Sequence, residues 1–128
     1  MIKSPAFTQA VAITGPVQTI LIGAQNAVDG KGNIIGQGDI GAQTVQVLKN
    51  IEACLAAAGA TKEHIVSWSI YLLTGQDLQA AFRAGMQWLG NAPNPPLNNV
   101  LFVAGFPNPD FLIAIEATAV VPVESGQI

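Results

Sequence analysis

The chain has 128 residues, of which half are apolar and only 10% are charged, and its formal net charge is -3. Charged residues make up roughly 25% of an average soluble protein, so we expect a poorly hydrated surface, part of which is covered by other copies of the chain. The four lysines and one arginine are scattered rather than clustered, which argues against nucleic acid and anionic membrane as partners.

The length favours a single domain over residues 1–128. Cys54 is the one cysteine, which allows no intrachain disulfide and fits a cytoplasmic location. The sequence shows neither the basic and apolar start typical of a signal peptide nor an apolar run long enough to span a membrane. One histidine and one cysteine do not make a His/Cys metal site, and the acids are spread along the chain. We therefore expect no metal and no other cofactor.

The first 36 residues predict strands. Residues 5–13 and 17–23 are rich in apolar and β-branched residues, and the sequence Thr-Gly-Pro at 14–16 is a turn signal between them. The sequence Asp-Gly-Lys-Gly-Asn at 29–33 predicts the tip of a hairpin that returns toward residues 34–36.

A helix is predicted between Asp39, which can cap its first turn, and Gly59, which can end it. Apolar residues recur there at steps of three and four, which is the period of a helix face. This predicted apolar stripe contains Val45, Leu48, Ile51 or Glu52, Leu55 and Ala58. Cys54 lies beside the stripe, and we expect it to be a small core residue.

Residues 65–73 alternate between large apolar residues and smaller or polar ones, which predicts a half-buried strand with Trp68 on its buried face. Thr74 and Asp77 resemble a capping box for a second helix that ends at Gly90. Its apolar stripe contains Leu78, Phe82, Gly85 and Leu89. Two more strands are predicted at 98–105 and 111–121, after a proline-rich loop.

This order of elements predicts an α+β fold, with a mixed six-stranded sheet and two helices on one of its faces. The opposite face keeps many apolar side chains, and no further element of the chain is available to cover it. A symmetric oligomer would cover that face.

Three residues with ionisable side chains are candidates for chemistry. Glu116 lies in the middle of the apolar last strand, where a carboxylate needs a partner, so it is either a hydrogen-bonded structural acid or a tuned general acid or base. Arg83 is either solvated or an anion clamp in a cleft. We expect His64 to be a surface residue, because no nucleophile motif accompanies it.

Four segments match, in order and spacing, the pattern of a known family. They are "FTQA" at 7–10, "GAQ" at 23–25, "DLQAAF" at 77–82 and "IEATAVV" at 115–121. Together they resemble the RidA/YjgF family, the reactive enamine and imine intermediate deaminases. The resemblance implies a chorismate-mutase-like fold and a homotrimer that binds small molecules in a cleft at each subunit interface.

The resemblance also implies two catalytic side chains that this sequence lacks. The family's deaminases carry an arginine at the start of the penultimate strand, which binds the substrate carboxylate, and a glutamate in the last strand, which holds the attacking water. Aligned on Pro96 and Pro107, these positions fall on Asn98 and Ala114. An amide does not offset a carboxylate's charge as a guanidinium does. Losing such a contact in a dry site costs on the order of 2–4 kcal/mol.

We therefore predict no catalytic residues of the family's type, and a cleft that binds a small, less charged, partly apolar ligand. Phe7 and Phe82 would supply its apolar walls, and Asn98 and Asn99 would supply amide hydrogen bonds. The strand backbone near Ala24 would add further polar contacts. A protein of this kind would be a binding module or a non-standard hydrolase.

Two alternatives remain at this point. The first is an enamine or imine deaminase that acts on a different substrate, with Arg83 of the same or a neighbouring subunit replacing the lost arginine. The second and weaker one is an endoribonuclease, which is another activity attached to the family, and against which the acidic balance of the chain counts.

Overall fold

A computed structural model describes residues 8–91 and 94–123. The elements in chain order are β1 (Val17–Gln25), α1 (Ile40–Ala57), a short 3-10 helix (Lys62–His64), β2 (Ile65–Leu73), α2 (Leu78–Leu89), β3 (Leu97–Val103) and β4 (Ile113–Pro122). The predicted α+β class is confirmed. In the described part of the chain, neither helix combines the length and the apolar character needed to cross a membrane.

The four strands form one sheet in the order β1-β4-β2-β3. Strand β4 runs antiparallel to both β1 and β2, whereas β2 and β3 are parallel, so the prediction of a mixed sheet is confirmed. Strands β1 and β3 are the edges, and each has one row of backbone groups that no strand in the described residues pairs with.

The prediction of six strands is wrong, and the N-terminal segment is one reason. Within residues 8–13 no strand forms, and residues 5–7 lie outside the described residues. The backbone N–H of Thr8 donates to the carbonyl of Pro96 at 3.2 Å, and its hydroxyl donates to the carbonyl of Pro95. Because a proline has no N–H to return a ladder bond, this contact does not extend into strand pairing.

The hairpin tip is the second reason for the smaller sheet. The turn forms where it was predicted, with Oδ1 of Asp29 accepting from the backbone N–H groups of Lys31 and Asn33 at 2.9 Å. These bonds, the one from Asn33 first, hold the pKa of Asp29 below its usual value of 3.8. Beyond the turn, only a single bridge forms, between Val28 and Ile34.

Helix α1 begins at its predicted cap, whereas α2 is capped by Asp77 and not by Thr74. The Asp39 side chain accepts from the N–H of Ala42 at 3.0 Å, and Asp77 accepts from the first N–H groups of α2. The capping box with Thr74 is wrong, because the Thr74 hydroxyl donates to the carbonyl of Val103 at 2.9 Å instead. The glycines that follow, Gly59 and Gly90, have φ of 78° and 65°, a conformation that ends a helix readily in glycine.

Helices α1 and α2 pack together on one face of the sheet and enclose the core. The buried side of α1 contains Gln43, Thr44, Val47, Leu48, Ile51 and Leu55. Val45 was predicted in this stripe, but its side chain is 45% exposed. The stripe runs through Thr44 and Val47 instead, and Val45 is turned by one residue, about 100°, away from Thr44.

Candidate functional site

Asn98 and Phe82 line one cavity between α2 and the sheet, which is the part of the predicted site that the structure brings together. Side chains alternate along a strand, and Asn98 pairs in register with Trp68 of β2, so both residues lie on the face that the helices cover. The cavity measures about 30 Å³, which is room for about one water-sized group.

Two of the residues that line this cavity each have a buried polar atom without a hydrogen-bond partner among the described residues. Asn98 Oδ1 and Trp68 Nε1 are both buried and unbonded. Trp68 as a whole is 4% exposed. The other polar side chain of the lining, Thr44, already donates its hydroxyl proton to the carbonyl of Ile40 at 2.7 Å. An unsatisfied buried donor or acceptor costs about 1–3 kcal/mol, so a polar group bound beside these atoms would be stabilised.

The cavity continues outward into an apolar surface. Phe82 and Val100 line the cavity and are 40% and 37% exposed, and Phe102 of the same strand is 54% exposed. The described lining contains no charged residue. The site therefore offers an apolar entrance, uncharged walls and two unused hydrogen-bonding atoms.

The other predicted ligand-binding residues lie elsewhere. Asn99 pairs in register with Ser69, so its side chain is on the sheet face away from the helices. Ala24 lines a separate depression of about 430 Å³ that also contains Cys54, a residue that packs partly against the core. Phe7 lies outside the described residues. Within one chain, the structure therefore joins only two of these residues, Phe82 and Asn98, in one cavity.

The sheet face away from the helices carries a second group of polar residues, which the sequence reasoning found only in part. Glu116 was singled out, and its Oε1 accepts a hydrogen bond from the Tyr71 hydroxyl at 2.6 Å. This bond, with burial as a smaller cause, raises the pKa of Tyr71 above its usual value of 10.0. The open cavity around Glu116 measures about 370 Å³ and includes Ser67, Ser69 and Thr118.

The pairing of Tyr71 with Glu116 was missed for an identifiable reason. The period of two placed Tyr71 on the polar side of β2, but nothing in the sequence says that β4 lies beside β2. Ala114, the position where the resemblance implies a glutamate, is the register partner of Tyr71. It is buried and lies on the opposite face of the sheet from Asn98.

The remaining candidates have local environments that need no ligand. Arg83 is exposed and is not among the described residues that line the cavity. His64 is half-buried rather than fully exposed, and its Nδ1 accepts from the N–H of Thr61 at 3.0 Å. Among residues 8–91 and 94–123, no three His, Cys, Asp or Glu side chains come together as metal ligands do.

Comparisons with known proteins find relatives of this chain. The model of the family described as Endoribonuclease L-PSP matches residues 1–121. The RutC family protein PH0854 of Pyrococcus horikoshii is 34% identical over 100 residues, which are 78% of this chain and 77% of that protein. The RutC family protein slr0709 of Synechocystis is 32% identical over 117 residues, covering 91% and 86% of the two chains.

The fold is similar to that of a solved structure as well. The crystal structure of YyfB from Yersinia pestis, described as a protein of unknown function of the conserved Rid family, superposes with a TM-score of 0.79. The two chains are 31% identical, and the match covers 90% of this chain and 86% of the other.

Proposed function

Because the chain belongs to the RidA/YjgF family, which the Endoribonuclease L-PSP model describes, we propose that it is a member that binds a small uncharged ligand and lacks 2-imino acid deaminase activity. In this proposal residues 1–128 form one domain, which assembles as a cytoplasmic homotrimer with its ligand sites at the subunit interfaces. It acts as a binding module or as a hydrolase of another type.

The observation that carries the proposal is the uncharged lining around Asn98. Where the family's deaminases are expected to hold a guanidinium, this chain has an amide whose Oδ1 is buried and unbonded. A carboxylate placed there would lose its hydration and meet no opposite charge from the described lining. A neutral ligand avoids that cost, and Phe82 and Val100 favour one with an apolar part.

The exposed apolar residues at the sheet edges support the trimer. Edge strand β3 exposes Leu101 and Phe102, and edge strand β1 exposes Leu21, which is 79% accessible. Uncharged edge strands with exposed apolar side chains favour association with other chains. Asn99 and Ala24, which lie away from the cavity within one chain, would join the site only through contacts between subunits.

Calorimetry with a matched pair of ligands tests the proposal. We expect a carboxamide such as butyramide to bind more tightly than butyrate, and Asn98→Arg to reverse that order, because the substitution restores a cation at this position. Gln87→Ala, on the exposed side of α2, is the control and should leave the order unchanged. Tighter binding of butyrate by the native protein would contradict the proposal.

The second candidate function is a deaminase that acts on a different substrate, and one observation favours it. Arg83 follows Phe82 directly and is exposed, so it is available to the site of a neighbouring subunit. This candidate predicts that Arg83→Ala abolishes imine hydrolysis while the trimer persists. Any hydrolysis that is unchanged in Arg83→Ala would remove it.

The endoribonuclease reading is the weakest, although the matching family model carries that description. The net charge of -3 and the scattered lysines supply no basic surface for the RNA backbone. Incubation with RNA at low salt, followed by electrophoresis, should leave the RNA intact. Ribonuclease activity that co-elutes with the purified trimer from a size-exclusion column would support the endoribonuclease function instead.

A further inference from the structure

We propose that the cavity between α2 and the sheet receives a neutral head group that donates one hydrogen bond, to Asn98 Oδ1, and accepts one, from Trp68 Nε1. The apolar remainder of the ligand lies over Phe82 and Val100. This inference rests on the proposed function and names the ligand class of the same site, which is an apolar molecule ending in a primary amide or a hydroxyl.

The two unbonded atoms carry the first step. Trp68 is 4% exposed, and its indole N–H can only donate. Asn98 Oδ1 can only accept, and both atoms are buried without a partner. The two residues are register partners on parallel strands and line the same cavity. Buried polar atoms of native proteins are nearly always bonded, so an unbonded donor and an unbonded acceptor on two paired residues of one cavity lining favour a bound group that supplies the complement of each.

The size of the cavity carries the second step. About 30 Å³ holds a hydroxyl or an amide group but not a ring or a branched chain. Phe82 and Val100 line this space and are also partly exposed, so the rest of a ligand would pass between them and stay outside. The cavity therefore selects the end of the ligand, whereas the apolar surface holds its body.

Hydrogen-bonding capacity carries the third step. In the orientation that the structure gives the Asn98 amide, a carboxylate, which has acceptors only, would leave Oδ1 facing another oxygen. An ammonium has donors only and would face the indole N–H. A hydroxyl and a primary amide each have both a donor and an acceptor, and both are neutral. Thr44 does not compete as a donor, because its hydroxyl proton is bonded to the carbonyl of Ile40.

Nuclear magnetic resonance of the indole groups tests this inference, because the chain has only two tryptophans. Trp88 stacks on Trp68 with ring centroids 6.2 Å apart, and its Nε1 is also buried and unbonded, but Trp88 is not among the lining residues. It serves as an internal control. The probes are benzamide, which donates and accepts, acetophenone, which only accepts, and benzoate, which is charged.

We expect benzamide to shift the Trp68 indole signal downfield, to leave the Trp88 signal in place, and to bind about tenfold more tightly than acetophenone, as one further hydrogen bond would give. Asn98→Leu should remove that preference, so that benzamide and acetophenone bind with similar affinity. Asn98→Ser, which is too short to reach the head group, replaces it if leucine disturbs the fold. Gln87→Ala should behave as the native protein does.

Three results would overturn the inference and leave the proposed function in place. They are equal binding of benzamide and acetophenone, a preference that survives Asn98→Leu, and no response of the Trp68 indole at any probe concentration. If uncharged probes bind but shift other signals, the head-group site fails while the proposed function stands. If benzoate binds most tightly, both fail. A cavity that holds only water would give no indole response to any probe, and so would also overturn it.

Discussion

The hydroxyl of Tyr71 donates to Oε1 of Glu116 at 2.6 Å, between neighbouring strands of the sheet face that the helices leave open. This bond gives the acid in the apolar last strand its partner and explains how a carboxylate is accommodated there. Glu116 and the cavity at Asn98 lie on opposite faces of the sheet.

This bond predicts an unusually high pKa for Tyr71, which is the only tyrosine in the chain. Ultraviolet titration of the native protein should show phenolate formation above pH 10.0, because Glu116 favours the protonated hydroxyl. Glu116→Gln should lower the midpoint. A midpoint in the native protein equal to that of the unfolded chain would contradict the bond.

The same shift predicts how stability depends on pH. The folded pKa is raised, so the contribution of Tyr71 to the free energy of unfolding is complete below the unfolded pKa and is lost as pH rises through the folded pKa. Chemical denaturation of the native protein and Tyr71→Phe should therefore converge at strongly alkaline pH. If the difference in free energy of unfolding between the two proteins stays constant across that range, the raised pKa of Tyr71 is not its cause.

Gln43 predicts a large loss of stability on substitution. Its fully buried side chain donates to the carbonyl of Asp110 and accepts from the N–H of Leu112, both at 2.8 Å. Gln43→Leu leaves both backbone groups without partners, and we expect it to reduce the free energy of unfolding by about 2–4 kcal/mol. The exposed control, Gln87→Leu, should change it by less than about 0.5 kcal/mol. Equal losses of stability for the two variants in urea denaturation would contradict this role of the Gln43 hydrogen bonds.

Gly36 and Gly38 form a matched pair for the turn that leads into α1. Both have positive φ, 70° and 73°, so alanine is strained at each by about 1–2 kcal/mol. At Gly36 a Cβ would also lie 2.8 Å from the Cβ of Ala42, whereas at Gly38 it would meet nothing. Gly36→Ala should therefore lower the free energy of unfolding by about 1–3 kcal/mol more than Gly38→Ala does. A lower melting temperature for Gly38→Ala than for Gly36→Ala would contradict this packing.

The sequence predicted elements whose signals are local. The limits of β2 were predicted as residues 65–73, since alternation there is unbroken, and the cap at Asp39 follows from side-chain chemistry. The strand predicted at 5–13 does not form within residues 8–13, because apolar composition does not supply a partner strand. The hairpin near residue 34 forms a single bridge and no strand, and the chain turns away at Gly36, where φ is 70°.

The site was predictable in part. Alternation alone places Asn98 and Asn99 on opposite faces of a strand. The sequence therefore already argued against placing both residues in one ligand site. That Trp68 lies beside Asn98 depends on the parallel pairing of β2 with β3, which no local pattern encodes. The unbonded indole N–H was therefore visible only in the structure.

Restoring one lost side chain should not restore the family's chemistry. Asn98 and Ala114 lie on opposite faces of the sheet, and Ala114 is buried beside Tyr71. Asn98→Arg alone therefore supplies a cation for a carboxylate but no group that positions water. We expect tighter binding of butyrate and no imine hydrolysis. Hydrolysis by this single variant would show that another residue of the chain serves as the base.

The most direct measurement is imine hydrolysis, with an amino-acid oxidase generating 2-imino acids in the presence of the purified native protein. A relative that carries both the arginine and the glutamate, assayed at the same concentration, sets the reference rate. Loss of the guanidinium contact alone predicts turnover at least about 30-fold slower than that relative, and the missing carboxylate should bring it to the spontaneous rate. Turnover comparable to that of the relative would contradict the account.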